Sequence, residues 1–157
     1  YNLQGLIIEG GNLGLCYEEE KKVRWKNDVF WAQRFSRETA KSVLNDWYQQ
    51  AVFAHLTEGQ RRALIEQRQA NCGDNIARML LATSLAKQPD LRPYVKNSPY
   101  PIYYFCGERD HKFKHMALDN QLNLSVIPNA GHNAHQENPM VFAAQLNALL
   151  RDKFIAF

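Results

Sequence analysis

Three short apolar runs, each closed by glycine or proline, limit what this chain can fold into more than any other feature of it. They are "LQGLIIEGG", ended by Gly10 and Gly11; "PIYYFCGERD", in which Ile102 to Cys106 is broken by Gly107; and "NLSVIPNAGH", in which Leu124 to Ile127 stops at Pro128. Uninterrupted apolar runs of this kind are typical of parallel strands covered on both faces, since a half-exposed strand alternates with polar residues. A short helical stretch near Lys112 to Asn120 separates the second run from the third, a β-α-β unit for which a right-handed crossover is expected. After the third run, Asn138 and Pro139 supply an N-cap and a first helical residue. Val141, Phe142, Gln145, Leu146, Leu149 and Leu150 follow at helical spacing, so this helix should lie on the sheet.

Residues 17–96 read differently. They are helical nearly throughout, with a capping box at Thr57 and Gln60 opening "TEGQRRALIEQRQ". "GDNIARMLLATSLA" reads as one apolar-striped helix ending before Pro89. So long a helical stretch between strands of a parallel sheet is expected to be a lid over the strand ends, where such sheets bind ligands. The expectation is an α/β protein in three parts: a core strand and exit loop at 1–16, a helical lid with connecting helices at 17–96, and a βαβα part at 97–157.

Apolar content of 45% and charged content of 22% suit a globular chain, and no apolar run is long enough to span a membrane. The net charge of +3 is spread along the sequence rather than gathered into an aromatic-laced basic patch, which argues against nucleic acid and leaves a small anionic ligand open. Three cysteines, Cys16, Cys72 and Cys106, form no CxxC pair, and a reduced, cytoplasmic setting is the simplest reading. The chain opens without methionine, basic segment or signal-type stretch, as if beginning within a longer protein.

Two constellations carry chemistry. His132 and His135 form an HxxH pair, and His111 and His115 stand four apart, which raises the possibility of a metal. The HxxH segment reads as a turn, no HExxH pattern occurs, and the lysines beside His111 and His115 would repel a cation, so no metal is expected. The stronger constellation is Asp110 with His132. Each falls just beyond the C-terminal end of an expected strand, and the two strands are separated by one crossover, so the side chains should meet. An aspartate bonded to one imidazole nitrogen fixes the tautomer and leaves the other nitrogen to accept a proton. The bland alternative is that Asp110 only caps the next helix and His132 fills a turn. Aspartate followed by histidine is the order of the α/β-hydrolase triad, whose nucleophile stands upstream in G-x-S-x-G. None of Ser36, Ser42, Ser84, Ser98 and Ser125 has that setting, and Cys16 lacks the following glycine.

"IEGGNLGL", "DWYQQAVFAHL", "ATSLAKQPDLR", "YYFCGERDHKF" and "PNAGHNAHQENP" together resemble the 2-succinyl-6-hydroxy-2,4-cyclohexadiene-1-carboxylate synthases of menaquinone biosynthesis, lyases of α/β-hydrolase fold. The resemblance implies a serine-histidine-aspartate triad that promotes proton abstraction and loss of pyruvate from an enolpyruvyl substrate, without metal or cofactor. It makes Asp110 the triad acid and His132 the base. Arg24 and Arg68 become contacts for the carboxylates of a small polyanionic substrate, which suits guanidinium forks. Trp47, Tyr48 and Phe53 become apolar lining from the lid. The resemblance covers the C-terminal three fifths or so of the family's usual length, so the serine, the oxyanion hole and a further arginine are absent from this sequence. The chain is accordingly expected to be a C-terminal portion, inactive alone and prone to self-association through the edge of its first strand. An esterase or C–C hydrolase using the same triad, or a non-catalytic remnant acting as a binding module, are the alternatives.

Overall fold

The computed structural model describes residues 3–154. The chain divides into two compact units, residues 1–12 with 91–157, and residues 13–90. The boundaries fall at Asn12 and Asp90, so residues 13–16 go with the helical unit and 91–96 with the sheet unit.

The sheet unit contains β1 (Leu6–Glu9), a short helix α5 (Arg92–Lys96), β2 (Ile102–Gly107), α6 (His111–Asp119), β3 (Asn123–Ile127), α7 (Ala134–Glu137) and α8 (Pro139–Lys153); α1 to α4 belong to the other unit. The three strands are parallel in the order β1-β2-β3, with Ile7 opposite Tyr103 and Tyr104 opposite Leu124. Alternation within β2 explains why its apolar run is continuous. Phe105 points into a cluster with Ile127, Ala130 and Ala134, against which Phe142 and Leu149 of α8 pack. Tyr104 and Cys106 point the other way, into a cluster with Ala117 and Met116 of α6. Both faces are therefore covered, as parallel sheets require. The Tyr104 hydroxyl, buried with its ring, donates to the Gly11 carbonyl at 2.7 Å and so is satisfied. At the start of α8, the Asn138 side chain accepts from Val141 N and Pro139 takes the first helical position.

The helical unit contains α1 (Glu18–Arg37), α2 (Ala40–Trp47), α3 (Glu58–Arg68) and α4 (Gly73–Ala82), with 3-10 turns at Ala51–Phe53 and Leu85–Lys87. Its core gathers Trp31, Phe35, Val43, Leu44, Tyr48, Leu56, Ile65 and Ala77 from all four helices and the turns between them. Trp31 meets Trp47 edge-on at 5.1 Å, a geometry favoured by the ring quadrupoles. The capping box at Thr57 and Gln60 forms, satisfying donors that the first turn of α3 leaves free. One reading needs correction. The apolar stripe from Gly73 to Ala86 is not one helix: α4 stops at Ala82, and Ser84 turns its hydroxyl to Asp28 and caps the 3-10 turn by accepting from Ala86 N. A side chain bonded to a distant carboxylate ends a helix that periodicity alone would continue. Among the described residues, no helix is long and apolar enough to cross a membrane.

Trp31 is only 7% exposed and is the largest side chain of the helical core. Trp31→Ala should lower unfolding stability by about 3–5 kcal/mol, read as a shift in denaturant midpoint with unchanged slope.

Candidate active site

The C-terminal ends of β2 and β3 are joined before any side chain acts. Glu108 N donates to Ile127 O and Arg109 N to Ala130 O, both at 2.9 Å. The two exit turns then come so close that a Cβ on Gly107 would lie 2.1 Å from the Gly131 carbonyl oxygen, a distance no other residue could accommodate. Asn129, at φ 57°, turns the chain through the left-handed region that asparagine tolerates. This backbone arrangement delivers Asp110 and His132 to one place.

Asp110 is 8% exposed and uses both oxygens. Oδ1 accepts from Phe113 N at 3.4 Å, capping α6, and Oδ2 meets His132 Nδ1 at 2.8 Å. Helix cap and imidazole partner are thus the same carboxylate rather than alternatives. A carboxylate offers no proton, so Nδ1 carries the hydrogen and Nε2 of the neutral ring is left basic. Phe113 packs on the imidazole face at 4.8 Å between centroids. Gly10, at φ 52°, also lies against the ring: a Cβ there would stand 3.1 Å from His132 Cε1. Gly10 therefore does more than end a strand; it makes room for the ring.

The loop bearing His132 is anchored by a carboxylate that the sequence did not single out. Glu137 accepts from Gly131 N at 2.8 Å and from Asn133 N at 3.2 Å, bracketing His132 on both sides. His135 lies in α7 rather than in a turn, and its ring and backbone N–H both bond to Glu9 at the end of β1. His132 and His135 are thus each committed to a carboxylate, and His111 and His115 lie on α6. Among the described residues, no three histidine, cysteine or acidic side chains are gathered as a metal would need. Behind the site, Cys106 is buried, and burial followed by the nearby Asp110 charge pushes its thiol up to about 11. Burial likewise raises the Tyr104 phenol far above its usual value. Neither group ionises near neutrality.

The remaining candidates lie in the helical unit. Arg68 donates through Nη1 to the Tyr48 hydroxyl, and the guanidinium stands 5.9 Å from that ring's centroid. Tyr48 is fully buried, packed edge-on against Phe53 at 5.0 Å, so it serves the core and orients Arg68 instead of presenting an open apolar wall. Trp47 and Phe53 are partly buried against the same core. Arg24 bonds through Nε to both oxygens of Asp28 at 2.8 and 2.9 Å. The pair stands at the i,i+4 spacing of a helix, a signal legible in the sequence and overlooked there.

No family model matches the chain. The 2-succinyl-6-hydroxy-2,4-cyclohexadiene-1-carboxylate synthase of Yersinia pseudotuberculosis is 51% identical over 150 residues, 96% of this chain and 55% of the relative. That of Citrobacter koseri is 49% identical over 147 residues, 94% of this chain and 58% of the relative. This chain is a relative of those synthases. It spans between half and two thirds of their length. The solved structure of MenH from S. aureus superposes with a TM-score of 0.87 at 23% identity, over 96% of this chain and 60% of that one. A thermophilic esterase from Thermogutta terrifontis gives 0.72 at 21% identity, over 97% and 57%. At those identities the likeness concerns the fold, that of part of an α/β-hydrolase.

The strand-exit crossing generates the test. Gly107→Ala should cost about 3 kcal/mol or more, because neither backbone can yield without losing its bonds. It should also abolish the low-field proton resonance of His132 Nδ1 that the Asp110 bond produces. A variant that retains that resonance and wild-type stability would show that the approach is not tight.

Proposed function

We propose that this chain supplies the acid-base pair and substrate-binding arginines of a lyase that eliminates pyruvate from 2-succinyl-5-enolpyruvyl-6-hydroxy-3-cyclohexene-1-carboxylate. The observation that carries this reading is the 2.8 Å contact between Asp110 Oδ2 and His132 Nδ1 at adjacent strand ends, in a relative of the synthases. In this reading His132 Nε2 takes the proton of a serine hydroxyl contributed by a segment outside these residues. The serine oxygen takes a proton from the substrate ring carbon, and the electron pair left behind breaks the bond to the enolpyruvyl oxygen, which leaves as the enolate of pyruvate. The proton held on His132 is then given up as the enolate is protonated on carbon to pyruvate, and the base is restored. Asp110 holds the tautomer and stabilises the imidazolium as it forms. Arg24 and Arg68 bind the substrate's carboxylates, with Trp47 and Phe53 supplying apolar contact. The chemistry needs neither metal nor cofactor. The three free cysteines accord with a cytoplasmic setting.

The outer edge of β1 carries no strand among the described residues, and Leu6 on it is 43% exposed. We propose that the 157-residue chain by itself self-associates there. Light scattering should show mass rising with concentration, and Leu6→Lys should reduce it, since an edge lysine opposes pairing. A strict monomer at all concentrations would refute the idea.

Pyruvate release, followed together with loss of the substrate's absorbance, tests the activity on the whole protein. His132→Ala should lower kcat by a factor on the order of 10⁴, the usual cost of losing a triad function. Arg68→Ala should act chiefly on KM. The 157-residue chain alone should release no pyruvate. Turnover that survives His132→Ala would remove the pair from the mechanism, and hydrolysis of simple esters without elimination would point to the esterase alternative.

A further inference from the structure

Asp28 is a carboxylate that the proposed chemistry does not use, yet it is only 2% exposed. Burying a charge is costly unless every oxygen is bonded, and here both are. Arg24 Nε reaches Oδ1 and Oδ2, and the Ser84 hydroxyl, from beyond the end of α4, donates to Oδ2 at 2.7 Å. A plain surface pair on a helix would not need a buried acid or a third residue from 56 positions away. Two other arginines of this unit show the contrast. Arg34 uses Nε and Nη2 on Glu38 and Asp46, and Arg61 uses its two terminal nitrogens on Gln49 and the Phe53 carbonyl. Arg24 is gripped through Nε, and its side chain keeps 40% of its surface. A guanidinium carries four further N–H bonds on its terminal nitrogens, arranged as a fork that matches a carboxylate.

We infer that Asp28, itself braced by Ser84, is a positioning residue that fixes Arg24 with its terminal fork presented to a carboxylate of the substrate. The arginine's rotamer freedom is then given up on folding instead of on binding, which favours affinity without touching the reacting atoms. The inference rests on the reading of Arg24 as a substrate contact.

The test is a double-mutant cycle in the whole protein, with KM and kcat for pyruvate release. The dissociation constant of the product, 2-succinyl-6-hydroxy-2,4-cyclohexadiene-1-carboxylate, is read beside them by calorimetry. Asp28→Asn should raise KM and the product dissociation constant about tenfold, with kcat within about twofold of wild type. Arg24→Ala should do the same, and Arg24→Ala with Asp28→Asn should be no worse than Arg24→Ala alone, because the two act as one unit. Should Asp28→Asn fail to fold, Ser84→Ala decides: it removes only the brace, and a rise of about threefold in KM at constant kcat supports the proposal. If Arg24→Ala weakens binding but neither Asp28→Asn nor Ser84→Ala does, the positioning role is overturned while Arg24 keeps its place. If the effects add, Asp28 acts independently of Arg24, and the inference again fails. If Arg24→Ala changes neither KM nor the product dissociation constant, the reading of Arg24 as a substrate contact falls, and the inference falls with it.

Discussion

The close passage of Gly107 beneath Ala130 and Gly131 governs what the sheet unit can do. Parallel strands put their C-terminal ends at one edge, but an edge is several ångströms wide, and hydrogen bonding between two side chains needs tighter placement than that. The extra precision comes from backbone: Arg109 N on Ala130 O, Glu108 N on Ile127 O, and a glycine where any side chain would wedge the turns apart. With the turns locked, Asp110 and His132 meet without either side chain leaving its own loop. The same carboxylate then holds the first turn of α6, so the helix, the turn and the imidazole share one anchor.

Carboxylates perform a similar task throughout the molecule. Glu137 draws the N–H groups on either side of His132 onto one group, and Glu9 takes both a ring nitrogen and a backbone N–H of His135. In the helical unit Asp28 joins α1 to the turn after α4. Each acid accepts at least two bonds, which is how a partly buried charge becomes tolerable and why its donors lose their freedom. Fixing imidazole and guanidinium groups in this way is what the proposed chemistry requires, since neither can be allowed to search for its geometry once substrate is bound.

Much of this architecture was legible in the sequence, and the parts that were not share a cause. Ile102 to Cys106 read as a strand because burial on both faces leaves a continuous apolar run, and Asn138-Pro139 read as a helix start because capping is local chemistry. The meeting of Asp110 with His132 was legible because strand ends converge. The end of α4 was missed because one bond from Ser84 to Asp28 outweighs an apolar stripe. Tyr48 was taken for a lining residue because an aromatic ring gives no sign in sequence of whether it faces a ligand or a core. Glu137 and the approach of Gly10 to the imidazole went unremarked for the same reason: periodicity reports which face is buried, not which atom is touched.

The geometry also narrows where the serine of the proposed mechanism can come from. His132 Nε2 faces away from Asp110 at the C-terminal ends of the strands, which is where the proposed mechanism needs its serine. Ser98 precedes β2 and donates to the Tyr100 carbonyl, placing it at the opposite end of the sheet, and Ser125 lies in the middle of β3. Cys106 is near Asp110 but buried, its thiol donates to the Gly107 carbonyl, and its raised pKa keeps the thiolate scarce at neutral pH. A thiol that is neither ionised nor accessible cannot serve as nucleophile. Among the described residues, the sheet unit therefore offers His132 no serine or accessible thiol at the strand ends, which is why the proposed mechanism takes its hydroxyl from a segment beyond these residues.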